Sequence, residues 1–381
     1  RVCQFRHSGN CSQSISNNFT RVKGTIMKLG IIGLPQAGKT TLFNALTRAM
    51  QPTGVTGKIE IHTAVVDVPD PRVDRLSDMF KPKKTIYAKV TYVDIAGLDG
   101  SSGSAGISGA LLNQLTQMDG FIHVVRVFED DNVPHLHDSI DPLRDIQGMD
   151  SELVLNDLIA VERKLERLAE EKKKGAGRDK ALIEREQALF ERFHEALGNE
   201  IPLRDIEISA EEEKLLSGFG FLSRKPMLIV LNLSEGQSAP VIDYKHKRST
   251  LVALQGKLEM DIAQLSPEEA QLFLAEYGIE EPSLNRMIRL SYELLGLMSF
   301  FTAGEDECRA WTVHRGATAP EAAGEIHTDL QKGFIRAEVV AYNDLTTLGG
   351  MNEVKHAGKF KVEGKEYIVK DGDVLNIRFA I

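Results

Sequence analysis

Only three cysteines occur in the sequence, Cys3, Cys11 and Cys308. They cannot form a disulfide framework and none sits at metal-ligand spacing, which points to a reducing compartment. No apolar run approaches the ~18 residues that a membrane-spanning helix requires, so a soluble chain is expected. Basic residues are the minority charge, 46 Lys and Arg against 55 Asp and Glu, for a net charge of −9. That excludes a protein that coats DNA through general basicity, while leaving room for a local basic patch that binds RNA. Residues 1–26 contain no acidic residue, but carry Arg1, Arg6, Arg21 and Lys23 among Ser and Asn. This composition fits a weak organelle transit peptide. It fits better an upstream extension with no structural role, because Met27 stands directly before the first strong strand signal. The extension is expected to be disordered and outside the fold.

What remains is ample for a packed core: hydrophobic residues make up 42% of 381 residues, enough for two or three domains. Apolar runs at Leu29–Ile32, Thr63–Val68, Ile86–Val93, Phe121–Phe128, Met227–Leu231 and Leu251–Leu254 read as strands separated by helices. Several are continuous rather than alternating, as strands covered on both faces require. An α/β domain with a mostly parallel sheet is therefore expected over 27–150 and 213–302. Residues 151–212 interrupt it. Leu158, Val161, Leu165 and Leu168 follow a coiled-coil-like 3-4-3 spacing, and Leu182, Leu189, Phe193 and Leu197 mark a second helix. With the polar link Glu171–Lys180 between them, they predict an antiparallel helical hairpin, either a surface excursion or a docking arm. Residues 282–302 read as a further helix. Beyond Gly304, short strands and turn signals such as Asp371-Gly372-Asp373 predict a separate small α+β domain over 303–381. Lys332, Lys355, His356, Lys359, Lys361 and Lys365 give this region local positive charge, either a solvated face or an RNA contact.

The chemistry concentrates in one motif. Gly33-Leu34-Pro35-Gln36-Ala37-Gly38-Lys39-Thr40 matches G-x-x-x-x-G-K-[ST] between a strand and the helical run from Thr41. Glycines let backbone N–H groups turn inward onto phosphate oxygens, Lys39 adds a charge at the β/γ-phosphates, and the Thr40 hydroxyl can ligate Mg²⁺. Asp94-Ile95-Ala96-Gly97 ends a later strand, where Asp94 can hold Mg²⁺ and the Gly97 N–H can meet the γ-phosphate. Leu98 stands where Ras-like proteins place a water-orienting glutamine, and leucine cannot polarise water. Ser101–Gly109 is rich in Gly and Ser and reads as a switch loop. Asn232-Leu233-Ser234-Glu235 occupies the place of the guanine-reading N-K-x-D motif. With Leu233 for Lys and Glu235 for Asp, guanine selectivity should fall and adenine become acceptable. In this reading Asn232 and the backbone of Leu233 face the purine edge.

With GLPQAGKTTLFNAL, VPDPRVDRL, DIAGL, HVVRVFED, NLSE, CRAWT, IHTDLQKGF and EGKEYIVKDGDVLNIRF in this order, the chain resembles the YchF / Obg-like ATPase family from about Met27 to Ile381. The resemblance implies a Ras-like G domain, a helical coiled-coil insertion and a C-terminal TGS domain of ubiquitin-like fold. It also implies ATP preferred over or alongside GTP, Mg²⁺, slow hydrolysis, a ribosome or ribosomal RNA partner and a cytoplasmic setting, with no membrane or DNA partner. Leu98 fits the family's hydrophobic replacement of the catalytic glutamine. His123 matches a histidine proposed to act in catalysis there; its alternative is a strand histidine with a satisfied hydrogen bond. Two departures stand out. Gln36 replaces the P-loop asparagine associated with K⁺ dependence, which puts K⁺ activation in doubt. The family's switch threonine falls on Lys58, leaving Thr53, Thr56 or a phosphate contact by Lys58 itself as replacements.

Three functions compete: an ATPase switch cycling on the ribosome, a nucleotide-gated RNA- or ribosome-binding module with little hydrolysis, and a true GTPase. A small-molecule kinase is weaker, since a kinase needs neither DxxG nor a following NxxE strand.

Overall fold

The strand-forming runs assemble into two six-stranded sheets with different rules of construction. The computed structural model describes residues 27–48, 61–95, 107, 109–137, 139–174, 178–216 and 218–380. The extension 1–26, Thr53, Thr56, Lys58, Gly97, Leu98 and most of Ser101–Gly109 lie outside the described residues.

The first sheet contains β1 (Lys28–Ile32), β2 (Ile61–Asp67), β4 (Lys89–Ile95), β5 (Gly120–Arg126), β6 (Met227–Asn232) and β7 (Ser249–Leu254). β3 (Lys84–Ile86) belongs elsewhere. The order is β2-β4-β1-β5-β6-β7, parallel except for β2, which runs antiparallel to β4 at one edge. β5 and β6 are buried along their whole length, which is why they read as unbroken apolar runs. Helix α1 (Lys39–Thr47) follows β1, and α2 (Pro71–Phe80) follows β2. Asp70 caps α2 by accepting the Arg72 N–H, with Pro71 in its first turn.

The second sheet has the order β11-β10-β12-β8-β9-β3, formed by β8 (Leu297–Ala303), β9 (Glu307–His314), β10 (Phe334–Ala341), β11 (Lys361–Glu363), β12 (Asp373–Phe379) and β3. Two expectations need correction here. The run Ile86–Val93 is not one strand: Lys84–Ile86 pairs with β9, and after two intervening residues the chain enters β4 of the other sheet. An apolar run does not reveal the break, because hydrophobicity reports burial and not which sheet provides it. Residues 282–302 are not one helix either. The helix Ser283–Leu294 ends before Gly296, whose φ of +72° suits glycine, and Leu297–Ala303 continues as β8. The apolar stretch Tyr367–Val369 forms no strand and contributes a lone bridge between Thr318 and Ile368.

One apolar core joins the sheets. Leu29, Val90, Tyr92 and Leu228 of the first share it with Phe301, Cys308, Val340 and Val374 of the second. Arg72 reinforces the junction. It pairs with Asp70 at 2.9 Å and Asp371 at 3.0 Å, and its guanidinium lies 5.0 Å from the Phe301 ring centre. The far face of the first sheet packs on α3 (Gly109–Thr116) and the start of α4 (Pro142–Lys174) through Ile146, Met149 and Leu153.

The helix that carries the leucine seam is longer than the expected insertion: α4 is continuous from Pro142, nine residues before 151, and its first turns pack on the sheet. It pairs with α5 (Lys180–Gly198). Val161, Leu168, Leu189, Phe193 and Leu197 are buried, whereas Leu182 is exposed and Ile183 takes the buried position. Phe190, Phe193, Phe219 and Phe221 form an aromatic cluster at this junction. Buried Glu186 receives Lys164 of α4 at 2.6 Å and Arg178 at 2.9 Å, closing the pair of helices with charge.

Candidate nucleotide site

β1 delivers the chain to Gly33 at φ +146°, where a Cβ would lie 2.3 Å from the Val124 carbonyl oxygen. No other residue fits. The loop turns through Leu34, Pro35, Gln36 and Ala37; Gln36, at φ +59°, points its side chain to solvent at the tip. Gly38 at φ +96° begins α1. The Lys39 ammonium folds across the loop, donating to the carbonyls of Gly33 at 2.9 Å and Leu34 at 2.8 Å. Helix α1 then places Thr40 and Thr41 in its first turn. These backbone turns and the helix N-terminus form an anion cradle.

β4 brings Asp94 to the same place. Its Oδ2 accepts from the Thr40 hydroxyl at 3.2 Å, while its Oδ1 is buried without a partner. Burial raises the carboxyl above its ordinary range, opposed by the Thr40 hydrogen bond and the charge of Lys39. An orphaned carboxylate oxygen beside a hydroxyl suits a hard divalent cation completed by phosphate and water oxygens. Across the sheet His62 is the register partner of Asp94, so their side chains share a face.

The third wall is braced by Asn232. Its amide donates to the Ala37 carbonyl at 3.0 Å and accepts from the Gly256 N–H at 2.9 Å. A Cβ on Gly38 would lie 2.2 Å from Asn232 Nδ2, and one on Gly256 2.8 Å from its Oδ1. Both glycines make room for this side chain. Leu233 donates its N–H to Leu254 and packs into the core, so its backbone can offer the purine edge only a carbonyl. Glu235 is exposed at the rim. Gln237 closes the turn, accepting from Ser234 N–H and donating to the Val127 carbonyl.

His123 sits on β5 between Ile32 and Ile229, and is 1% exposed. It lines a small enclosure beneath the P-loop with Leu34, Pro35, Ala37, Arg126, His135 and Asp145. Burial pushes its imidazole down to about 4, so it is neutral at physiological pH, and Nδ1 has no partner. His135 is the satisfied histidine of the pair. Its Nδ1 accepts from the His137 N–H, which leaves Nε2 to donate to Asp145 at 3.0 Å. Arg126 donates to the carbonyls of Phe128, Asp130 and Pro134, shaping the loop that follows β5.

The structure thus brings together Gly33, Pro35, Gln36, Ala37, Gly38, Lys39, Thr40, Thr41, Asp94 and Asn232. His123 lies behind the loop rather than at its mouth, and Gly97 and Leu98 fall outside the described residues. Sequence reasoning missed Gly256, Gln237, His135 and Asp145. None belongs to a local motif, and each matters through a contact made only after folding. Among the described residues, no group of three or more His, Cys, Asp or Glu could hold a metal, and no helix is long and apolar enough to cross a membrane.

Two family models match the chain. One, described as "50S ribosome-binding GTPase", covers residues 28–164; the other, the YchF GTPase C-terminal model described as "Protein of unknown function (DUF933)", covers 297–380. The "Ribosome-binding ATPase YchF" of Bacillus subtilis is 41% identical over 366 residues, 92% of this chain and 99% of the relative. That of Escherichia coli O157:H7 is 42% identical over 368 residues, with 93% and 99% covered. The solved structure of the Schizosaccharomyces pombe YchF GTPase superposes with a TM-score of 0.78 at 30% identity, covering 95% of this chain and all of that one.

Proposed function

Because this chain belongs to the YchF family, we propose that it is a ribosome-associated P-loop nucleoside-triphosphatase that accepts ATP at least as readily as GTP and turns it over slowly. The observation that carries this reading is the convergence of Lys39, Thr40 and the orphaned Asp94 oxygen on one phosphate cradle. Thr40 and Asp94 would hold Mg²⁺, which would neutralise charge on the phosphates. Gly33 to Thr41 bind and orient the triphosphate through backbone N–H groups and Lys39. Asn232 keeps the loop at the right distance from the base-binding turn, and the exposed Glu235 replaces the shorter Asp that would select guanine. Gly97 is assigned to the γ-phosphate. Neutral His123, buried beneath the loop with its Nδ1 unpaired, is the candidate catalytic histidine that the family resemblance implies. Gln36 offers a longer, solvent-directed amide where the family's K⁺-linked asparagine stands, so K⁺ activation is not assigned.

This reading divides the chain into a G domain over 27–150 and 213–296, a coiled-coil-like helical insertion over 151–212 and a TGS-like domain that starts with β8 at Leu297 rather than at 303, with 1–26 as an extension. It places the protein with ribosomes in the cytoplasm, without membrane or DNA partners. Leu98 and Lys58 favour a second reading, a nucleotide-gated ribosome-binding module with little hydrolysis. Single-turnover ATP hydrolysis with and without ribosomes separates them. Ribosome-stimulated turnover supports the first, whereas nucleotide-dependent cosedimentation with no turnover supports the second.

A further inference from the structure

On the second sheet, three cross-strand pairs share one face: Arg336 with Arg378, Glu338 with Asn376, and Val340 with Val374. Val362 of the edge strand β11 is the partner of Glu338 and is 56% exposed, so the outer part of this face is uncovered. Toward its inner end the face sinks into a cavity of about 170 Å³. Its floor includes Ala303, Val340 and Val374. One wall is Phe360 with Met351 and Lys355 from the short helix Met351–His356, and the other is Glu338, Asn376 and Arg378. Lys355 Nζ stands 5.2 Å from the Phe360 ring centre. Arg378 and Asn376 both donate to Glu338, so the polar wall is held in place.

The chemistry of this cavity narrows its occupant. Its apolar floor and aromatic wall suit a flat ring, and its volume is close to the roughly 150 Å³ that admits a single benzene-sized group. Lys355 and Arg378 line it with one carboxylate, Glu338, which Arg378 already pairs, and Arg336 lies farther out on the same face, opposite Arg378. A flat ring carried on an anionic backbone is a nucleotide unit of single-stranded nucleic acid, which binds by stacking on aromatics inside a cationic groove. A duplex cannot present its stacked bases this way.

We propose that this cavity is a subsite for one unpaired base of RNA, with Phe360 as the stacking wall and Lys355, Arg336 and Arg378 on the flanking phosphates. The inference rests on the ribosome-associated reading and names the chemistry of one contact. The test is fluorescence anisotropy of the full chain with a labelled single-stranded RNA hexamer, the same hexamer without bases, an RNA duplex and a polyglutamate peptide. Ala303→Leu fills the cavity without removing charge, and Phe360→Leu keeps bulk but removes the ring. Both are expected to weaken binding of the intact hexamer about fivefold or more, with the salt dependence unchanged. In the unmodified chain, a 4-thiouridine hexamer should crosslink to the peptide containing Phe360, which keeps the proposal testable should a variant fail to fold. Equal binding of the baseless hexamer, preference for duplex, displacement by polyglutamate, or crosslinking elsewhere would overturn it. Cosedimentation with ribosomes is read separately. Where the unmodified chain binds the hexamer, its loss in the variants with undiminished cosedimentation upholds the base subsite and removes it from the ribosome contact. No hexamer binding by the unmodified chain, with intact cosedimentation, leaves the family reading standing and overturns the subsite alone.

Discussion

The phosphate loop and the open face of the second sheet show two ways of making a site. The loop takes its shape from neighbours in sequence, Gly33 to Thr41, and is then locked by Asn232 and Gly256 from distant strands. The face around Phe360 has no local motif and exists only where β8, β10, β12 and one short helix meet. A site of the first kind can be read before folding and is sensitive to single backbone atoms. The second kind becomes visible only through strand register, and its individual side chains can be exchanged at lower cost.

Lys39→Ala should have the largest effect. It removes the loop's charge but little packing, so triphosphate affinity should fall about a hundredfold or more, on the order of 3 kcal/mol, with an unchanged far-ultraviolet spectrum. Comparable affinity in a folded variant would return the loop to the status of an ordinary turn.

The acid side of the stability profile comes next. The His123 imidazole is held down to about 4 by burial, against an ordinary value near 6.5. The unfolded chain therefore binds a proton that the native state refuses. The stability this protects is fully present above about pH 6.5 and is lost progressively as pH falls toward 4, by an amount on the order of 2–3 kcal/mol. Urea unfolding between pH 7 and 4.5 measures it, and His123→Gln should flatten that portion of the curve. An unaltered slope in this variant would mean another group is responsible.

Two glycines sharpen the contrast between locked and open positions. Gly38→Ala would set a Cβ against Asn232 at a φ that disfavours side chains. It should cost about 2 kcal/mol and weaken nucleotide binding. Gly109→Ala meets no atom within 4 Å, and should stay within about 1 kcal/mol of the parent. Thermal melts with and without nucleotide compare the two, and an equal response at both positions would contradict the interlock.

The legible parts of this molecule were those whose meaning is local. The P-loop, Asp94 at a strand tip, the parallel sheet and the interrupting helices all follow from short motifs or periodicity. Partnership was not legible. Lys84–Ile86 reads as the start of β4 because nothing in its composition names β9 as its partner. Leu182 and Ile183 are adjacent and both apolar, so only the packing of α4 against α5 decides which is buried. Asn232 was recognised as part of a base-reading motif, yet its brace to Ala37 and Gly256 depends on loops 195 and 24 residues away. His123 stands out in the sequence, but its neutral state comes from burial in the folded sheet, which outweighs the opposing charges of Asp150 and Asp145 and which no spacing rule reveals.

Base choice has the smallest expected effect and bears most directly on the central claim. Calorimetric titration with Mg·ATP and Mg·GTP should show ATP binding at least as tightly as GTP in the unmodified protein. Replacing Leu233 by Lys and Glu235 by Asp together should move the preference toward GTP by about tenfold, ~1.4 kcal/mol, with Glu235→Asp alone doing less. A strong GTP preference in the unmodified chain would contradict the reading of Asn232 to Glu235 and make this protein a GTPase.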